Sequence, residues 1–283
     1  MVYGTRKTGK ESFLSRMSLT NILIIITVAF YFLFLIIIAI SPTFFNYIAI
    51  LPSNILQGKA IWTILSSIFM HANFLHLFVN MFSLFFLGNL TERIIGKKRM
   101  LWFYLIAGLA GGLAFVLFAY WGTFIGNGVL AARVFGGVDS SAVGASGALF
   151  GLLGVLAVLI PRQKVYLVLG PLILIIVQVM LDQIIPSGVL PVFDFVFTAL
   201  IFLTVFAMFS SNPKFRRISL PAGMPLWLTP IVAIVPLVLI SLFVSLPIGN
   251  TAHFGGLLAG LVYGLYLRAK YQKKVNMLQR YFR

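Results

Sequence analysis

Eight apolar stretches recur along this chain, and they leave it few folds to choose from. They run from Leu19 to Ile40, Phe74 to Ile95, Met100 to Trp121, Ser146 to Ile160, Val165 to Ile185, Val192 to Phe209, Leu226 to Leu246 and Thr251 to Leu267. A bilayer span needs about 17–25 such residues in a helix, and most of the stretches have them. Composition agrees: 61% of residues are hydrophobic and 9% charged, whereas soluble domains keep about a quarter charged. The expectation is an all-α polytopic membrane protein with about eight transmembrane helices.

The basic residues set its orientation. All but Lys59 and Arg133 of the 21 Lys and Arg cluster before the first stretch or after the second, fourth, sixth and eighth. The first cluster is Arg6, Lys7, Lys10 and Arg16; the last runs from Arg268 to Arg283. By the positive-inside rule the number of spans is even and both termini are cytoplasmic. The net charge of +16 is therefore a topology signal. It points to the lipid bilayer as a partner, with a basic tail able to touch anionic lipid, and not to nucleic acid. With no cysteine, disulfides and thiolate metal sites are excluded. Leu19 to Ile40 is too long for a signal peptide and reads as a retained helix. The chain divides into a cytoplasmic segment 1–18, a membrane domain 19–268 and a basic tail 269–283, with mobile polar ends.

Within the apolar stretches, the few polar side chains carry the functional information, because ionisable groups in a membrane are costly. The three histidines, His71, His76 and His253, all lie at the outer ends of spans. Asn80 follows His76 at i+4, so the two stack on one helix face. Ser146 opens the fourth stretch within Gly144-Ala145-Ser146-Gly147. Gly147 and Gly151 form a G-x-x-x-G pair, so close helix packing is the plain reading of that segment. Depth adds a sharper one. Counted from the basic residues that end each span, Ser146 lies 16 residues before Arg162 and His253 15 before Arg268; His76 and Asn80 lie 17 and 13 before Arg93. At about 1.5 Å per residue, three parallel helices bring these side chains to one level, some 20–25 Å from the inner boundary. A serine needs a base to become nucleophilic, and histidine is the usual one. His76, Asn80 and backbone N–H groups could stabilise an oxyanion, Gly144 could bring those N–H groups close, and a helix N-terminus at Ser146 would add its dipole. No carboxylate is placed to orient His253, which favours a dyad.

These residues resemble the rhomboid intramembrane serine proteases. The resemblance rests on Gly144-Ala145-Ser146-Gly147, on Ala252-His253-Phe254-Gly255-Gly256 with Gly260, and on His71, His76 and Asn80 in the pattern H-x4-H-x3-N. Gly88, Glu92, Arg93 and Gly96 are similar to the family's G-x3-E-R-x2-G, and Trp62 to a loop tryptophan. It implies a rhomboid-like helical bundle in which Ser146 is the nucleophile and His253 the general base. His76, Asn80 and the Ser146 N–H would line the oxyanion hole. His71 would be a structural or water-organising neighbour, and Phe150 would pack near the His253 ring. It implies cleavage of single-span or polytopic membrane protein substrates near the outer face, with no metal or cofactor. The sequence departs from the family at Thr63, where Arg often follows the tryptophan. It also departs in having three stretches, not one, between Ser146 and His253. A six-helix core plus an inserted pair, lying between Val165 and Leu246, keeps the parity.

Other polar and small residues have structural readings. Gly256, Gly260 and Gly264, like Gly108 and Gly112, read as close-packing faces. Glu92 and Arg93 read as an interfacial pair, and Gln178, Asp182 and Asp194 as structural groups of the inserted pair. The segment Phe44 to Met70, broken by Pro42 and Pro52, reads as an interfacial loop anchored by Trp62. Two other classes compete. A transporter would show midplane acids and repeated broken helices, which are absent. A catalytically silent rhomboid-like binding or chaperone scaffold would typically lose Ser146 or His253. The compact chain suggests a prokaryotic plasma membrane.

Overall fold

The computed structural model describes residues 17–126, 128–182, 184–243 and 249–282. Arg6, Lys7, Lys10, Arg16 and Arg283, which helped set the expected orientation, lie outside the described residues. The main elements are α1 (Leu19–Ile40), α2 (Phe74–Ile95), α3 (Lys97–Gly122), α4 (Gly128–Phe135) and α5 (Ser146–Leu159), followed by β1 (Lys164–Val168), α6 (Leu169–Leu181) and α7 (Leu190–Ala207). Strand β2 (Pro221–Pro225), α8 (Thr229–Ser241), α9 (Asn250–Lys270) and α10 (Gln272–Tyr281) complete the chain. It is a helical polytopic membrane bundle. Among the described residues α1, α2, α3 and α7 are long and apolar enough to cross a membrane.

Local chemistry explains where the helices start. The Ser18 hydroxyl accepts from Asn21 N and caps α1, and the Asn73 side chain accepts from His76 N at 2.8 Å and caps α2, each satisfying an orphan N–H. Gly96, at φ +91°, turns the chain directly from α2 into α3. The start of α1 gains a further hold. The Glu92 carboxylate near the end of α2 accepts from Leu19 N, Thr20 N and Thr20 Oγ1 at 3.1, 2.8 and 2.7 Å. Glu92 is thus buried against α1 and not paired with its neighbour Arg93, as the sequence had suggested. A buried carboxylate takes the donors that hydrogen-bond it best, here the positive end of a helix.

Helix α5 is the hub. It is buried along nearly its whole length and is wrapped by α2, α3, α8 and α9, with α1 outside α2. Its tightest contact is with α9. A Cβ at Gly256 would run into the Gly147 carbonyl, one at Gly260 into the Gly151 carbonyl, and one at Gly154 would lie 2.8 Å from the Leu257 oxygen. Small residues on both helices let the backbones touch, as the glycine spacing predicts.

Three expectations change. The stretch from Val165 opens as β1, paired antiparallel with β2 from Lys164↔Pro225 to Val168↔Pro221, so the bundle is not wholly α. Only the 13 residues of α6 remain helical, about 20 Å in length. Helices α6 and α7 form a hairpin tied by Gln178 Nε2 donating to Asp194 Oδ1 at 2.8 Å. The hairpin meets the core through aromatic rings, with Phe202 4.6 Å from Phe78 and Phe209 6.1 Å from Phe82. It is α8, instead, that packs against both α5 and α9. Finally, the polar C-terminal segment is ordered as α10, whose Val275 is buried and whose Gln279 donates to the Leu159 carbonyl at the end of α5 at 3.1 Å.

Candidate active site

Ser146 is the first residue of α5 and Ala145 its N-cap. The turn before them is held by backbone and imidazole partners. Gly144 adopts φ +129°, a conformation strained for any residue with a Cβ, and its N–H donates to the Ser67 carbonyl at 2.8 Å. The Ala145 N–H points at His71 Nε2, 3.4 Å away. A Cβ at Gly144 would also lie 2.8 Å from His76 Cε1, so the glycine is needed for space as well as for φ.

The segment from Pro42 to Met70 supplies this support. It forms short helical turns at Pro42–Tyr47, Pro52–Leu56, Thr63–Ser66 and Ser67–Phe69, and buries Ile48, Ala49 and Ile50. Ile50 and Ala142 exchange both backbone hydrogen bonds, at 3.0 and 2.9 Å, and Ser53 N donates to Val138 O at 2.8 Å. The segment leading into Ser146 is therefore laid down as a strand-like edge on the loop. Trp62 lies on its exposed side, 59% accessible, with its indole N–H donating to the Tyr47 carbonyl at 3.0 Å.

From α9 the structure brings His253 to Ser146, with Nε2 2.8 Å from Oγ across 107 residues of sequence. The imidazole is stacked on Phe150, one turn into α5, with ring centroids 4.4 Å apart and planes 20° from parallel. That stacking leaves Nε2 facing the hydroxyl. His253 is buried, and among the described residues its Nδ1 has no hydrogen-bond partner. From α2 come His76 and Asn80. The His76 ring lies against Gly144 and 5.1 Å from His71, while Asn80 is buried and donates Nδ2 to the His76 carbonyl at 2.8 Å. One amide hydrogen of Asn80 stays available. Ser146, Gly144, Gly147, Phe150, His253, His76, Asn80 and His71 thus gather around the head of α5, and Trp62 stands apart from them. Among the described residues no group of His, Asp and Glu is arranged to hold a metal ion.

Two contributors were missed in the sequence. The Ser67 carbonyl is a backbone group, and no side-chain pattern announces it. Gly111 on α3 is a packing contact, since a Cβ there would lie 2.8 Å from the Ala252 oxygen and 3.3 Å from Gly147 Cα. Its place between Gly108 and Gly112 was the available signal.

Comparison with known proteins fits this geometry. A family model described as the rhomboid domain matches residues 58–199, half of the chain. That span holds Trp62, His71, His76, Asn80, Gly144, Ser146, Gly147 and Phe150, and ends inside α7, before His253. Among curated proteins the chain is similar to RHOMBOID-like protein 5 of Arabidopsis thaliana, 39% identical over 106 residues, 37% of this chain and 29% of that one. It is similar to the putative rhomboid protease YdcA of Bacillus subtilis (strain 168), 35% identical over 94 residues, 33% of this chain and 39% of that one. It is also similar to a protein named inactive RHOMBOID-like protein 8 of Arabidopsis thaliana, 39% identical over 62 residues, 22% of this chain and 18% of that one. The matched stretches thus span less than half the length of each relative. With half its length matched by the family model, the chain belongs to the rhomboid family.

Proposed function

We propose that this chain is an intramembrane serine endopeptidase acting through a Ser146–His253 dyad. Its substrates are transmembrane segments of single-span or polytopic membrane proteins, cut near the outer face of a prokaryotic plasma membrane, with both termini of the enzyme cytoplasmic. The observation that carries this reading is the 2.8 Å contact between Ser146 Oγ and His253 Nε2, made inside a membrane bundle between helices that need touch only for packing. One relative carries the name of a protease and another is named inactive. The retained serine and histidine favour the first.

The chemistry follows from the contacts. His253 Nε2 takes the Ser146 proton as Oγ attacks the carbonyl carbon of the scissile peptide bond. Negative charge moves to the carbonyl oxygen, where the Ser146 N–H, the second Asn80 amide hydrogen and His76 can donate to it. The imidazolium then protonates the leaving nitrogen, the C–N bond breaks and an acyl-enzyme remains. Water attacks the ester, giving one proton to Nε2; Oγ recovers that proton as the carboxylic acid product departs and ionises in solvent. Phe150 keeps the imidazole plane fixed through both transfers, and His71 positions the Ala145–Ser146 turn. The scheme uses the chain's own side chains, the Ser146 backbone N–H and water.

The test compares purified wild type and Ser146→Ala on a single-span test substrate in detergent, with a fluorophosphonate as a second readout. Wild type should cut the substrate and be labelled at Ser146; Ser146→Ala and His253→Ala should do neither while keeping the wild-type melting profile. Absence of both cleavage and labelling in wild type would refute the enzyme and leave a binding scaffold.

A further inference from the structure

At the end of the bundle where α3 begins and α9 ends, the two helices part to leave a groove of about 700 Å³. Its floor is aromatic, with Phe103 and Tyr263 stacked at 4.6 Å and 14°. Trp102 and Ile106 form one wall, Ala259 and Val262 the other. From Lys98 to Ile106 the wall runs eight residues, about 12 Å, most of one leaflet of a ~30 Å core.

The rim is cationic and already held in position. Lys98 and Arg99 stand at one side, and Arg99 donates to the Tyr271 hydroxyl at 2.9 Å with its guanidinium 5.1 Å from that ring. Lys270 donates to the hydroxyl of Tyr266, a groove residue, at 2.8 Å. Ring contacts of this kind orient a cation without neutralising it. Among the described residues no carboxylate neutralises it either: of Glu92, Asp139, Asp182 and Asp194 none lines the groove, and Glu92 is taken up by α1. Moreover, Lys97, Lys98 and Arg99 occupy the first turn of α3, which holds no acid. Cations there oppose the positive end of the helix dipole, so an anion between them would be stabilised twice over.

We propose that this groove is a binding site for a diacyl phospholipid with an anionic headgroup. The phosphate sits among Lys98, Arg99 and Lys270, and one acyl chain lies over the Phe103–Tyr263 floor between Trp102 and Ala259. Lipid-facing aromatics alone would fit any lipid. It is the uncompensated, preoriented rim over an apolar trough that selects a headgroup with net negative charge, at about fivefold in occupancy per cation. The site is independent of the dyad reading.

Trp102 reports on it directly. The full chain is reconstituted in phosphatidylcholine vesicles carrying a minor fraction of brominated phosphatidylglycerol or brominated phosphatidylcholine, and the fluorescence difference between wild type and Trp102→Phe is followed. Brominated phosphatidylglycerol should quench this signal at a mole fraction at least about tenfold lower. Lys98→Gln with Lys270→Gln, or 0.5 M salt, should reduce that preference several-fold. Ala259→Phe, which fills the trough and leaves the rim intact, should weaken quenching by both lipids. Equal quenching by the two lipids in wild type, or a preference unchanged in the double variant, would overturn the site. So would displacement of the anionic lipid by millimolar inorganic phosphate, which would mark a headgroup-only anion site.

Discussion

Gly111→Ala isolates the step from helix packing to catalysis. The added Cβ would lie 2.8 Å from the Ala252 carbonyl oxygen, where ordinary contact starts at 3.4 Å. Helix α9 must therefore move by about 0.6 Å, and α5 gives no room, since Gly147 Cα is only 3.3 Å from the same methyl. Ala252 immediately precedes His253, so the displacement passes to the imidazole. The 2.8 Å contact to Ser146 lengthens towards about 3.4 Å, the limit of a useful hydrogen bond. Misplacement by about 1 Å can cost 10²-fold in rate, so 0.6 Å should cost roughly 10- to 50-fold. Stability should change less, because overpacking costs about 1–3 kcal/mol while Ala regains about 0.5–1 kcal/mol over Gly in a helix. The assay is cleavage of the single-span substrate in detergent, with the rate of fluorophosphonate labelling and a thermal melt beside it. Gly188→Ala, where nothing lies within 4 Å, is the control and should behave as wild type. Full cleavage by Gly111→Ala would refute the argument that helix contact sets the dyad geometry.

Asn80→Ala should lower cleavage by about 10²–10³, as for one lost oxyanion donor, with labelling at Ser146 retained; loss within twofold would remove Asn80 from the hole. Glu92→Gln turns one of the two accepting oxygens into an NH2 donor, so Leu19 N or Thr20 N loses its acceptor; stability should fall by about 1.5–3 kcal/mol, read as a lower melting temperature at unchanged activity per folded molecule. Gln178→Leu, which strands Asp194, should loosen the α6–α7 hairpin and speed its limited proteolysis while α5 and α9 stay protected. An unchanged digestion pattern would show that the Phe contacts to α2 hold the hairpin alone.

How far the sequence could be read depended on how local the determining physics was. The limits of α1 and α2 were legible because each is set by adjacent residues, Ser18 and Asn73 at the starts and Gly96 at the turn. The meeting of His253 and His76 with the turn at Ser146 was legible because helical rise is constant, so that equal counts from the basic residues bring side chains on neighbouring helices to matching positions. Strand β1 was not. Val165 to Val168 continue the apolar run of α6 without a break, and periodicity cannot tell a short apolar strand from helix. The partner that makes β1 a strand lies more than fifty residues away, in the Pro- and Gly-containing β2. Glu92 was misjudged for the same reason, since the acceptor's partners sit on α1, 72 and 73 residues earlier. Of the four glycines on α3, Gly108 faces Ile68, Gly112 faces Ile50 and Ile64, Gly122 faces Phe135, and only Gly111 faces α9. That division is a property of the packed bundle.

The distribution of satisfied and unsatisfied polar atoms supports the functional reading independently of any resemblance. A buried polar atom without a partner costs about 1–3 kcal/mol, more in a membrane. Through most of this bundle such atoms are provided for: Thr20 by Glu92, Thr27 by the Leu23 carbonyl, Thr91 by the Leu87 carbonyl. Among the described residues the exceptions are His71 Nδ1, Asn80 Oδ1 and His253 Nδ1, all around the head of α5, with Asn250 Nδ2 at the start of α9, Tyr104 Oη on α3 and Asp182 Oδ1 just after α6. The backbone around Ser146 is, by contrast, carefully pinned, through Ser67 to Gly144 and through Ala142 to Ile50. A structural core would have no reason to combine a rigid turn with incompletely paired imidazoles and amide. A site that must hold a nucleophile still while offering spare hydrogen-bonding capacity to a substrate has that reason. The 14-residue length of α5 fits the same logic: about 21 Å of helix stops short of a full span, so the polar cluster can sit below the surface on a loop that carries its own hydrogen bonds.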